Sequence, residues 1–314
     1  MGDGCPRARI EVGSMHVVIS GSSGLIGGAL AASLLADGHR VTRLVRREPQ
    51  VRADGSEEAR WEPRADGVDP AVLDGADAVV GLAGAGVGDR RWTAAYKARI
   101  RESRVRGTGA LATAIGDCAK PPAVFVSGSA VGYYGETGQD VVDESALPGQ
   151  DFLAGVCQEW EAAAGGARAA GTRVVTTRFG IVVSAKGGAM GRLLPLARAG
   201  LGGRLGDGHQ YWSYISLPDT VRALRHLIDT ETVGGPVNMT TPHPATNRDI
   251  TAAIGRALHR PTILPVPAFA LRLALGEFAD GILMSQRVLP ARLLESRFTF
   301  EHPTFEEAVT AAVR

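Results

Sequence analysis

Lysine is nearly absent from this 314-residue chain: only Lys97, Lys120 and Lys186 occur among its 34 basic residues, and the rest are arginine. Arginine alone is therefore uninformative here, and each one is argued from its position. No basic run forms an arm, and a formal net charge of +1 gives no long-range field. Nucleic acid and anionic membrane are excluded as partners on that ground. Cysteine is scarce too: Cys5, Cys118 and Cys157 form no CxxC pair, so neither a disulfide frame nor a structural zinc site is indicated. No His/Asp/Glu cluster has metal-ligand spacing, and no metal is expected. No apolar stretch reaches the length of a membrane span. Residues 1–14 lack the apolar run of a signal peptide and are expected as a disordered tail, with a reducing cytoplasm as the location.

What is present is globular: 45% hydrophobic and 21% charged residues, in a chain long enough for a main domain and a smaller one. From Met15 an apolar run, a helical period and a second apolar run follow in order. Further apolar runs stand at 77–84, 122–129 and 172–180, separated by helical spacing over 92–118 and 151–171. Strands alternating with helices predict an α/β fold with a doubly wound parallel sheet, covered on both faces. After Gly180 the texture becomes Gly-rich. The expected division is a nucleotide-binding domain over 15–180, with 210–240 packing back on it, and a smaller C-terminal substrate domain over 181–209 and 241–314.

The stretch "VVISGSSGLIGG" (17–28) puts glycines between a strand and a helix, where main-chain amides and the helix's positive end converge on a pyrophosphate. Gly21 permits the tight turn, Gly24 lets phosphates approach the backbone, and Gly27 lets the helix sit close to the sheet. Ser22, Ser23, Leu25 and Ile26 complete the expected cradle. The second strand ends at position 46, where an acidic residue binds a ribose 2′-hydroxyl and an arginine accepts a 2′-phosphate. Arg46 stands there, followed by Arg47, so NADP(H) is favoured over NAD(H). The other reading is a pair of solvated arginines.

Gly21-x-x-Gly24-x-x-Gly27, "GLAG" (81–84) and "SGSAVGYYG" (127–135) resemble the extended short-chain dehydrogenase/reductases of the NAD-dependent epimerase/dehydratase type. "TRFGIVVSAKGGAM", "GGRLGDGHQYWSYISLPD", "GPVNMTTPHPATNRDI" and "LPVPAFALRLALGE" narrow the resemblance to the "epimerase family protein" subfamily, from about Met15 onward. It implies a Rossmann domain, with Leu82, Ala83 and Gly84 along the cofactor path. Ser127, Ser129, Phe179, Gly180 and Ile181 fall near the nicotinamide. His209, Gln210 and Trp212 fall where extended reductases contact substrate. The subfamily usually carries Asn where this chain has Gly81.

The superfamily's Tyr-x-x-x-Lys dyad is missing. Registering "DFLAGVCQEWE" on the corresponding helix puts Leu153 and Cys157 at its two positions. An ordinary tyrosine, with a pKa of about 10, costs about 4 kcal/mol to use as a base at pH 7. Donating a proton needs only the neutral phenol, so carbonyl reduction fits better than alcohol oxidation. Ser129 and Tyr133 are the candidate catalytic donors. Tyr134, Lys186, His209, Gln210 and Trp212 are the candidate substrate contacts, and Trp61 either covers the adenine edge or is packing. Cys157 reads as buried rather than nucleophilic. The expected function is an NADP(H)-dependent oxidoreductase or epimerase-like enzyme acting on a small carbonyl or activated alkene. The alternative is a non-catalytic NADP(H)-binding redox sensor. A homodimer would pair through 91–118 and 151–170.

Overall fold

A computed structural model describes residues 13–65 and 67–314. Most of the tail expected over 1–14, with Cys5, lies outside them. The chain runs β1 (His16–Ser20), α1 (Leu25–Ala36), β2 (Arg40–Val45), β3 (Glu57–Glu62), β4 (Gly67–Val68), β5 (Ala78–Gly81), α2 (Ala94–Gly116), β6 (Val124–Ala130) and β7 (Val141–Val142). Next come α3 (Phe152–Ala162), α4 (Gly165–Ala169), β8 (Arg173–Phe179), β9 (Ile181–Val183), α5 (Gly188–Arg198), β10 (Tyr211–Trp212), β11 (Tyr214–Ser216) and α6 (Leu217–Asp229). The last part holds β12 (Gly235–Met239), β13 (Ala245–Thr246), α7 (Asn247–Leu258), α8 (Ala268–Leu275), α9 (Phe278–Leu283), β14 (Arg287–Val288), α10 (Ala291–Glu295) and α11 (Phe305–Val313).

Eight strands form one sheet in the order β12-β8-β6-β5-β1-β2-β3-β4, parallel except for the β3–β4 pair at one edge. Strand alternation sorts the side chains into two cores, because successive residues point to opposite faces. Val17, Ile19, Val80, Val126, Val175 and Val237 pack with Leu30 and Leu34 of α1 and with Leu224 and Leu227 of α6. Their neighbours Val18, Val79, Phe125 and Val174 pack on the other face with Leu111 and Ile115 of α2. The sheet is thus doubly wound, with helices on both sides. Its order reverses at β1, whose partners are β2 and β5, and ligands of such sheets bind at that switch point beyond the strands' carboxyl ends.

A third core gathers Val183, Met190, Leu194, Trp212, Tyr214, Ile250, Ile254, Leu271, Phe305 and Val309. Its boundaries differ from those in the sequence pattern. Trp212 and Tyr214 belong to this smaller core rather than packing back on the sheet, because β11 pairs with β9 and β10 with β13. In the other direction, Leu293 and Phe298 join the main core, and β14 pairs with β7.

The last helix closes the smaller core. Thr304 and Glu307 form a capping box at its start, and Phe305 meets the Tyr214 ring edge-on at 5.0 Å. Phe305→Ala is expected to cost about 3–5 kcal/mol, read as a lowered midpoint in urea denaturation.

Candidate functional site

The glycine turn lies at the switch point. Gly21 has φ +74°, a left-handed conformation, and a Cβ on it would stand 2.7 Å from the Leu82 carbonyl carbon and 2.8 Å from the Ala83 nitrogen. A Cβ on Gly27 would stand 2.4 Å from the Gly21 carbonyl oxygen. The loops after β1 and β5 therefore touch through bare backbone. Gly24 caps α1 without a side chain, and the first turn carries no acidic residue. The helix's first amides face the crevice with neither a side-chain acceptor nor a negative charge competing for them, which suits a diphosphate.

Arginines at the tip of β2 divide by partner. Arg47 is held by Glu58 at 2.7 and 2.8 Å. Arg46 is exposed and has no ion-pair partner among the described residues. Arg43, which sequence reasoning passed over, is buried inside β2: it donates to the Ser22 carbonyl at 3.2 Å, to Ser56 Oγ at 2.8 Å and to Asp54 at 3.0 Å. It thereby ties the glycine turn to the 54–56 loop. Trp61 does not cover an adenine edge. Its strand position turns it inward, 4% exposed, onto Leu44, Val68 and Leu111. Gly81 suits its place because a Cβ there would press on Phe125 at 3.1 Å and Leu111 at 3.2 Å.

Ser129, Arg178 and Asn238 stand opposite one another on β6, β8 and β12, forming one row across three strands on the α3 side. Arg178, 3% exposed, grips Glu161 of α3 through Nε at 2.8 Å and Nη2 at 2.9 Å. Ser129 donates to the same carboxylate at 2.7 Å. Arg178 Nη1 donates to the Tyr134 hydroxyl at 2.9 Å, and that hydroxyl donates to Asn238 Oδ1 at 2.7 Å. The Asn238 backbone N–H donates to Glu144, whose other oxygen is buried without a hydrogen-bond partner among the described residues. Burial pushes the Glu144 carboxyl up and the Tyr134 phenol up to about 12.

Tyr134, expected at the substrate, is thus a 4% exposed member of this buried chain with both hydrogen-bonding roles used. Tyr133 is different. Its ring lies 3.4 Å from the Arg178 guanidinium carbon and edge-on to Tyr134, and its hydroxyl has no partner among the described residues. At the dyad positions, Leu153 packs on Gly132, and Cys157 Sγ contacts the Ala130 carbonyl at 3.7 Å. Burial pushes the Cys157 thiol up to about 11, so it is no nucleophile.

The remaining sequence candidates separate. Ser127 is buried. Gly180, flanked by Phe179 and Ile181, carries the chain between the main and smaller cores, and a Cβ on it would stand 2.6 Å from the Ser213 carbonyl oxygen. The exposed Lys186 sits in a loop whose Gly187 and Gly188 lie against Leu25, beside the glycine turn. Gln210 and Trp212 are not cleft residues: Gln210 Nε2 bonds the Leu205 carbonyl at 3.0 Å, and Trp212 Nε1 bonds that of Ile282 at 3.0 Å. Their apolar bodies and satisfied donors serve the smaller core. His209 is exposed beside Arg248, 3.3 Å away.

Removing one member of a buried ion pair strands its partner's charge. Glu161→Gln is expected to cost about 3–5 kcal/mol in denaturant unfolding, and Glu161→Gln combined with Arg178→Met less than the sum of the two single changes.

Residues 17–240 match the NAD dependent epimerase/dehydratase family, and residues 266–312 match a domain of unknown function, DUF1731. An epimerase family protein of Mycobacterium bovis is 48% identical over 294 residues, covering 93% of this chain and 96% of that protein. The human epimerase family protein SDR39U1 is 34% identical over 305 residues, covering 95% of this chain and 100% of that one. The crystal structure of human SDR39U1 (isoform 2) with NADPH is similar with a TM-score of 0.86 and 32% identity, over 95% of this chain and 99% of that one. With its glycine turn at the switch point of a doubly wound sheet and a distinct C-terminal part, the chain belongs to the NAD-dependent epimerase/dehydratase family.

Proposed function

We propose that this protein is an NADP(H)-dependent oxidoreductase or epimerase-like enzyme that reduces a small carbonyl or activated alkene, with Tyr133 as proton donor. The observation that carries the reading is the contrast between two neighbouring hydroxyls: that of Ser129, at the end of β6, is committed to Glu161, and that of Tyr133, in the turn after it, has no partner among the described residues. When bound, NADP(H) supplies or takes up the hydride. The amides at the start of α1 hold its diphosphate, and Arg46 takes the 2′-phosphate. The similar human structure contains NADPH, which supports the choice of phosphate form.

The protein's own groups then divide the work. Arg178 clamps the Tyr133 ring through its face, so the phenol oxygen keeps one position. A neutral phenol is the dominant form at pH 7 and donates directly to a carbonyl oxygen gaining negative charge. Ser129, with its proton turned to Glu161, presents lone pairs and orients the row rather than the reaction. Lys186, beside the glycine turn, adds positive charge at the phosphate end of the cleft. One observation favours the sensor alternative: the dyad positions are filled by Leu153 and by Cys157, whose thiol burial pushes up, so neither supplies a lysine's charge.

Fluorescence titration is expected to show tighter binding of NADPH than NADH. Arg46→Ala should weaken NADPH at least tenfold and leave NADH within twofold, since exposed Arg46 meets only the extra phosphate. Across a carbonyl and enone panel, Tyr133→Phe should lower kcat by about 10²-fold or more at unchanged coenzyme affinity. Tight NADPH binding without turnover of any panel member would move the assignment to the sensor.

A further inference from the structure

No described residue supplies a counter-charge to Arg104 of α2. Its guanidinium is half-buried, and burial lowers its pKa. Among the described residues it has no carboxylate partner. Nη1 donates to the carbonyls of Ala85 (2.9 Å) and Ile100 (3.0 Å), and neither Nε nor Nη2 has an acceptor. The two buried arginines are paired with carboxylates, Arg178 with Glu161 and Arg43 with Asp54, and the half-buried Arg173 spends both terminal nitrogens on the carbonyls of Leu227, Ile228 and Val233. A guanidinium removed from water with unused donors is costly unless an anion or acceptor completes it.

Its place in the fold says where that acceptor comes from. The guanidinium carbon lies 3.4 Å from the position of a Cβ on Gly84, in the loop after β5 that meets the glycine turn, and 5.0 Å from the Trp160 ring of α3. Trp160 shares its helix with Cys157, which occupies the lysine position of the missing dyad. A cation of α2 therefore stands against the helix from which the dyad would bring its own.

We propose that Arg104 is an anion-recognition residue of the cleft, its free guanidinium edge taking a phosphoryl or carboxylate oxygen of the bound ligand. This rests on the ligand-binding reading of the cleft given above. The oxygen belongs either to the coenzyme diphosphate or to an anionic substrate. Planar, paired donors suit both groups.

Arg104→Gln removes the charge and keeps a donor for the Ala85 carbonyl. If the oxygen is the coenzyme's, calorimetry with this variant will show NADPH and NADH weakened alike, at least tenfold, whereas Arg46→Ala separates the two. If it is a substrate's, both coenzymes will bind as in the wild type, the NADPH-loaded wild type will bind acetate and inorganic phosphate, and the NADPH-loaded variant will lose that binding. A folded Arg104→Gln protein indistinguishable from wild type toward NADPH, NADH, acetate and phosphate overturns the proposal. Should that variant not fold, phenylglyoxal labelling of the wild type, mapped by mass spectrometry, decides: slower labelling of Arg104 with NADPH or phosphate present supports it, and an unchanged rate overturns it. Wild-type NADPH titration alone tests the underlying reading, so the two failures are distinct.

Discussion

The contact between Gly21 and the Leu82–Ala83 peptide fixes the geometry on which the rest depends. Backbone meets backbone there at a distance that leaves no room for a methyl group. Because β1 and β5 are neighbours at the point where strand order reverses, this contact joins the two loops that line the crevice. Every group argued to meet a ligand is placed relative to it. The start of α1 follows Gly24, Arg43 ties Ser22 to the 54–56 loop, and Arg104 stands behind Gly84.

Behind the crevice, a row of polar residues crosses three strands where apolar ones are the rule. Ser129, Arg178 and Asn238 are brought together by parallel register, and Glu161 and Tyr134 cover them from outside the sheet. Burying such a set is unfavourable unless nearly every donor and acceptor is used, and here only one Glu144 oxygen at the far end stays unmatched within the row's chain. The arrangement gives Tyr133 a rigid cationic backing with no lysine on α3. On the proposed function, a tyrosine supported in this way gives up a proton that it already holds. The dyad's design, in which an adjacent ammonium favours the phenolate, serves removal of a proton from an alcohol instead.

The sheet and the glycine turn were legible because their signals are local. Glycines at 21, 24 and 27, a preceding apolar run and a following helical period all fall within one turn of chain. The polar row was not legible: Arg178 and Glu161 are 17 residues apart, and Tyr134 and Asn238 are 104 apart. Only register across β6, β8 and β12 unites them. One signal was available, since Arg43 in "RVTRLV" and Arg178 in "RVVTTRF" are charged residues inside runs that otherwise read as buried strand. A buried strand arginine implies a buried acceptor. The roles given to Gln210 and Trp212 by resemblance failed for a related reason. The stretch "GDGHQYWS" is polar in composition, yet its hydrogen bonds run to Leu205, Asn247 and Ile282 within the smaller core.

The smaller core is assembled from segments far apart along the chain: Val183 to Tyr214, then Ile250 to Ala279, and finally Phe305 to Val309. Between them the chain leaves to form α6 and β12 on the large sheet. During synthesis on a ribosome, β1 to β8 are available to pair long before α11 emerges, and the smaller core is completed only once α11 joins it. A nascent chain therefore has its crevice outlined while the smaller core is still incomplete.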